Sequence, residues 1–190
     1  MKNTTKSIRT FFAVPLHEDM QVAVQRVVKM LQQRKFGDQI KWSPSENLHL
    51  TLRFLGETPA EKIEPLITRV AEALREIKNF ALPLDDLRLF PSAIRPHAIV
   101  ISCPLTAALV KLVSVLEGAV RIFEFPAEKR RYSPHITLGR LRGDYAPDVS
   151  AVMQELPKEL LVQEVIFYRS ELGESGSKYT VLKKFPLAKL

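Results

Sequence analysis

His49-Leu50-Thr51-Leu52 and His135-Ile136-Thr137-Leu138 are two copies of one pattern, 86 positions apart. Side chains alternate faces along a strand, so each tetrad offers a histidine and a threonine to one side and two aliphatic residues to the other. One such tetrad is an ordinary strand face. Two of them, in a chain with only four histidines, call for a common cause. Reading outward from each tetrad supplies it as an internal repeat.

Ahead of the first tetrad, Phe11 to Pro15 is a short apolar run that reads as a strand. Glu18 to Gln33 follows as a helix, with Met20, Val24, Val27, Val28 and Leu31 at helical spacing. Leu48 to Leu55 is the central strand. Thr58-Pro59-Ala60-Glu61 has the form of a capping box and opens a helix striped by Ile63, Leu66, Ile67, Val70, Leu74 and Ile77. Phe80 to Phe90 reads as one strand, with Pro83 pointing to a sheet edge. The second half repeats this order. Ala98 to Cys103 is a strand, and Leu109, Leu112, Val113, Leu116 and Val120 stripe a helix from about Thr106. Pro134 to Leu141 is the second central strand, and Val149, Val152, Met153 and Leu156 mark a shorter helix. Leu161 to Ser170 and Lys178 to Leu187 form a hairpin around Gly173 and Gly176. The expectation is an α+β fold: two pseudo-symmetric lobes, each an antiparallel sheet with two helices, flanking a central cleft. The whole chain, 1–190, reads as one bilobal domain, with repeats at about 9–90 and 97–170 and a C-terminal hairpin at 161–187. The connection from Pro91 to Pro96 carries no Gly or Ser run.

Composition narrows the class. Of 190 residues, 46% are hydrophobic and 26% charged, as in ordinary globular chains rather than disordered ones. No apolar run is long enough to span a bilayer, and Met1 to Thr10 lacks the apolar stretch of a signal peptide. Cys103 is the single cysteine, which excludes an internal disulfide and a thiolate zinc site and points to the cytoplasm. The net charge of +7 and pI near 9.6 favour a polyanionic partner, with nucleic acid the commonest.

Two imidazoles suit phosphodiester transfer. Near neutral pH one can be neutral and take a proton while the other is protonated and gives one. Thr51 and Thr137 share their histidines' faces and can hold non-bridging phosphate oxygens. Arg140 can spread their charge, but it lies five residues past His135, on the opposite face of an ideal strand, so it needs a bulge to reach the cleft. Arg53, Arg130 and Tyr132 are candidate RNA contacts, Tyr132 by stacking or else as core, and Arg131 joins Arg130 in a basic rim. No Asp, Glu or Cys stands within either tetrad as a third metal ligand, and Asp85-Asp86 lies on another expected strand, so no metal is expected. His17 and His97 read as surface residues. No phosphate-cradling or dinucleotide-binding glycine loop is present, so no cofactor is expected.

The segment Lys41-Trp42-Ser43-Pro44-Ser45-Glu46-Asn47-Leu48-His49-Leu50-Thr51-Leu52-Arg53-Phe54-Leu55-Gly56-Glu57 resembles the first motif region of the RNA 2′,3′-cyclic phosphodiesterases, a family of the 2H phosphoesterase superfamily once called 2′–5′ RNA ligases. Arg130-Arg131-Tyr132-Ser133-Pro134-His135-Ile136-Thr137-Leu138-Gly139-Arg140 resembles their second motif, and Tyr168-Arg169-Ser170-Glu171-Leu172 with Gly176 and Tyr179 their C-terminal hairpin. The resemblance implies metal-free hydrolysis of a 2′,3′-cyclic phosphate to a 2′-phosphomonoester. His49 would be the proton donor and His135 the acceptor, with Thr51, Thr137 and Arg140 on the phosphate. It also implies weak reverse joining through a 2′–5′ bond. The expected substrate is RNA with a cyclic phosphate end, tRNA fragments included, and the expected state a monomer away from membranes. Arg131 and Tyr132 stand where Pro and Phe are common in the family. Two other readings stay open: a non-catalytic module that binds RNA ends, and a phosphodiesterase for another cyclic phosphate metabolite.

Overall fold

The computed structural model describes residues 6–128, 131–143, 145–150, 155–173 and 176–189. Their elements run β1 (Ser7–Pro15), α1 (Glu18–Gln32), β2 (Ile40–Trp42), β3 (His49–Pro59), α2 (Ala60–Leu74), β4 (Phe80–Pro83), β5 (Leu87–Phe90), β6 (Ala98–Ser102), α3 (Ala107–Arg121), β7 (His135–Leu141), β8 (Glu159–Val162), β9 (Glu164–Gly173) and β10 (Gly176–Pro186). The fold is α+β with two repeated halves, as expected.

The two half-sheets are continuous. The strand order is β10-β9-β1-β3-β7-β6-β5, with β2 also paired to β7. The halves meet where Leu50 of β3 opposes Ile136 of β7. Both residues are fully buried, in one apolar cluster with Leu52, Leu138, and the stripes of α1 (Val24, Val27, Leu31), α2 (Leu66, Val70, Leu74) and α3 (Leu109, Leu112, Leu116). The aliphatic half of each tetrad therefore anchors the sheet to its helices. The histidine half is left on the opposite face.

Several expectations are revised. The strand expected over 80–90 is two strands: β4 leaves the main sheet and pairs with β8, whereas β5 pairs with β6. Pro83 cannot donate to the ladder, and the Asp85 and Asp86 backbones turn to bond Ser102 instead. The strand expected from Leu161 divides likewise, between Val162 and Glu164. Thr58 does not cap α2. Its hydroxyl is buried against that of Thr10 at 2.6 Å, and Pro59 occupies the cap position without a side-chain bond. Thr106 does cap α3, accepting from the Leu109 amide. The helix expected around Val149–Leu156 falls largely on residues 151–154, which lie outside the described residues.

Each half also lends its last strand to the other. β5, from the first half, extends the second through β6, and β9, from the second, extends the first through β1. With β4–β8, three strand pairings cross between halves on this exchange alone.

Candidate active site

The register at Leu50 and Ile136 places His49, Thr51, His135 and Thr137 on one face at the junction of the halves. Both imidazoles are half-buried. Each is fixed in the same way: the His49 Nδ1–H donates to the Asn47 carbonyl at 2.7 Å, and the His135 Nδ1–H donates to the Ser133 carbonyl at 2.7 Å. A carbonyl only accepts, so in the neutral ring Nδ1 carries the proton and Nε2 keeps its lone pair. His49 Nε2 accepts from the Thr51 hydroxyl at 3.0 Å. The rings also meet aromatics: His49 has Phe11 at 5.0 Å, Tyr179 edge-on at 5.3 Å and Tyr168 at 6.3 Å, and Phe90 stacks at 4.3 Å on His135.

Burial lowers the His49 pKa to about 4, against the Asn47 bond that raises it and with the charge of His135 lowering it further. His135 is also lowered, chiefly by burial, with its Ser133 bond opposing and the Arg140 charge adding. Each imidazole thus feels a cation: His49 that of His135, and His135 that of Arg140.

Arg140 reaches this face through a bulge. Ile99 pairs with Gly139 but Val100 with Thr137, so Leu138 is an extra residue on β7. The extra residue resets the alternation and turns Arg140 to the side of His135 and Thr137. Gly139 then faces the core side, where a Cβ would meet the Ile40 side chain at 2.5 Å and Trp42 at 3.0 Å, so only glycine lets β2 lie across it. The same bulge occurs in the first half. Phe12 pairs with Arg53 but Ala13 with Thr51, leaving Leu52 extra, at the position that the 86-residue repeat matches to Leu138. There the repeat diverges: Phe54 stands where Arg140 does, 41% exposed, in a ring stack with Phe11, which itself packs on Tyr168 and Tyr179.

The remaining candidates separate. Arg53 is 7% exposed and turned away, its Nε on Glu117 of α3 at 2.6 Å and its other nitrogens on the carbonyls of Phe54 and Pro126. With the fork occupied inside the protein, it holds β3 to α3 and is not available to RNA. The Tyr132 ring is half-buried against the core, and its hydroxyl donates to the Thr51 carbonyl at 2.9 Å, which ties the approach to β7 onto β3. Burial raises its pKa. Arg131 is exposed. Arg130 lies outside the described residues. Among the described residues no group of three or more His, Cys, Asp or Glu is placed to hold a metal ion, and no helix is long and apolar enough to cross a membrane. Sequence reading missed the roles of Phe11, Phe90 and Asn47. The two carbonyl anchors were visible as residues two before each histidine, but Phe11 and Phe90 reach the rings only through strand pairing.

The chain is similar to known proteins in both sequence and fold. A family model described as LigT like phosphoesterase matches residues 14–100 and again 101–179, once per half. An RNA 2′,3′-cyclic phosphodiesterase of Thermus thermophilus is 33% identical over 95% of this chain and 90% of that protein. One from Thermotoga maritima is 29% identical over 92% and 93%. A solved Thermus thermophilus protein superposes with a TM-score of 0.84 at 30% identity, covering 96% of this chain and 99% of that one. Apo E. coli LigT does so with a TM-score of 0.73 at 25% identity and the same coverage.

Proposed function

The chain belongs to the LigT-like phosphoesterase family, and from that membership we propose that it opens 2′,3′-cyclic phosphates at RNA ends to 2′-phosphomonoesters. The observation that carries this reading is the pair of imidazoles on one sheet face, each with Nδ1 held by a backbone carbonyl, so that Nε2 is the nitrogen available to exchange protons, His49 Nε2 meeting the Thr51 hydroxyl. Relatives named RNA 2′,3′-cyclic phosphodiesterase support the substrate.

In this mechanism a water attacks phosphorus and gives its proton to Nε2 of His135. The bond from phosphorus to O3′ breaks, and Nε2–H of His49 protonates the departing oxygen. Thr51, Thr137 and Arg140 hold the non-bridging oxygens as charge builds on them. His49 enters neutral, since burial has lowered it to about 4. The substrate's own anion favours the imidazolium, so the donor is charged by binding. A 5′-hydroxyl in place of water would yield a 2′–5′ bond, which is the weak reverse joining. RNA fragments with cyclic ends, tRNA halves among them, fit this chemistry. One chain supplies both histidines, so a monomer suffices, and no step calls for a metal.

Phosphorus NMR of a nucleoside 2′,3′-cyclic phosphate incubated with the protein tests the reading. The expected product is the 2′-monophosphate alone, formed equally in EDTA. His49→Ala and His135→Ala should each lose about 10²–10⁴-fold in kcat with unchanged circular dichroism. Full activity in both variants would overturn it.

A further inference from the structure

Lys41 of β2 is the direct cross-strand partner of Arg140 on β7. Residues opposed in an antiparallel pair project to the same face, so two cations stand side by side there, an arrangement that normally destabilises a sheet. Ile40 and Trp42 both cover Gly139 on the other face, which leaves Lys41 on the histidine side. Both cations are exposed, and among the described residues neither has a carboxylate within ion-pair distance. Other arginines of the chain do have one: Arg9, Arg53, Arg69, Arg88 and Arg169. The two side chains also lean apart. Arg140 acts on His135, whereas the Lys41 ammonium lies 3.6 Å from where a Cβ of Gly176 would be, at the start of β10. The next residue, Ser177, accepts from Asn47 Nδ2 at 2.9 Å, and Asn47 is the anchor of His49. Lys41 thus closes one end of the histidine face, about 10 Å along β7 from the Leu50–Ile136 junction.

The geometry points to a second anion subsite at Lys41, beside Arg140, that takes the phosphodiester one nucleotide 5′ of the cyclic end. Arg140 serves the reacting phosphate and Lys41 the next one. The like charges are then reconciled by two successive phosphates of one strand, which a mononucleotide cannot supply. The inference rests on the cyclic phosphodiesterase reading and deepens it: the preferred substrate is an oligonucleotide.

Three substrates test it: adenosine 2′,3′-cyclic phosphate, a diadenosine ending in the same cyclic phosphate, and that dinucleotide with an uncharged methylphosphonate at its internal linkage. The wild-type protein should favour the charged dinucleotide over the mononucleotide by about tenfold in kcat/KM, through KM, and lose the advantage with methylphosphonate. Lys41→Ala should abolish the difference between the two dinucleotides and lower the salt slope for the charged one by about one, and Lys41→Arg should restore both. No wild-type preference for the charged linkage overturns the subsite. So does an equal loss on all three substrates in Lys41→Ala, which is what a merely structural lysine would give. Failure of the wild-type protein to turn over even the mononucleotide would instead overturn the hydrolase reading, and the subsite with it.

Discussion

The two histidines share an anchor but not an environment, and their pH behaviour should reveal it. His49 is lowered to about 4 and His135 lies below the ordinary 6.5. Turnover needs one proton shared between them: both rings charged leaves no base, and both neutral leaves no acid. On kcat/KM, which reports the free protein, activity should therefore fall as pH drops through about 4 and fall again as pH rises through the lowered His135 value. The optimum is expected between about 4 and 6.5. On kcat, the bound anion raises both values and the bell moves toward neutral pH. Stopped-rate assays across pH 3–9, with a cyclic phosphate that does not itself titrate in that window, measure both profiles. A kcat/KM optimum above pH 7 would refute the burial argument. The histidine–threonine pairs were legible because strand alternation is local. Two of the ring partners were not: Phe11 and Phe90 are brought to His49 and His135 by pairings between strands far apart in the chain, whereas Tyr168 and Tyr179, also against His49, stand in the quoted hairpin motif.

Among the elements, the central strands owe their reach to a residue inserted just past each tetrad's threonine, Leu52 in β3 and Leu138 in β7. Without the bulges at Leu52 and Leu138, Arg53 and Gly139 would keep strict alternation and Arg140 would point away from His135. The need for a bulge could be deduced from the five-residue spacing, but its position could not, since Leu138 looks like any buried strand leucine. The same device in β3 turns Arg53 inward onto Glu117 of α3. Removing one side of a buried pair strands the other without water. Arg53→Ala, with Glu117 only partly buried, should cost about 2–3 kcal/mol, or about 5–10 °C in Tm for a chain of this size. Activity on a cyclic mononucleotide at 25 °C should persist, with KM within about twofold, because Arg53 meets no ligand. Calorimetry and initial rates on one preparation separate the cases. A large KM increase at unchanged Tm would return Arg53 to the RNA surface.

At the scale of the molecule, a duplicated sequence invites the idea that each half is a folding unit, and at about 95 residues each would be large enough. Strand exchange argues otherwise. The first half alone keeps β1 but loses β9, which covers Phe11, Phe12 and Ala13 along one edge, and it must leave β5 with nothing to pair. The second half alone loses β5 from β6 and has no β1 on which to lay β9. Each separated half would thus expose unpaired, apolar strand edges, the condition that drives aggregation rather than folding. A break between Ser92 and Arg95, in the exposed connection, removes no sheet pairing by itself. Fragments 1–93 and 94–190 should each lack a cooperative thermal transition, whereas the two refolded together should recover native circular dichroism and open a cyclic phosphate. The intact chain should melt in a single transition for the same reason. Cooperative melting of either fragment on its own would mean that the exchanged strands are accessories. Recovery of activity only on mixing would locate the source of cooperativity in the crossing pairs, which hold together the halves that meet at Leu50 and Ile136 beside the two histidines.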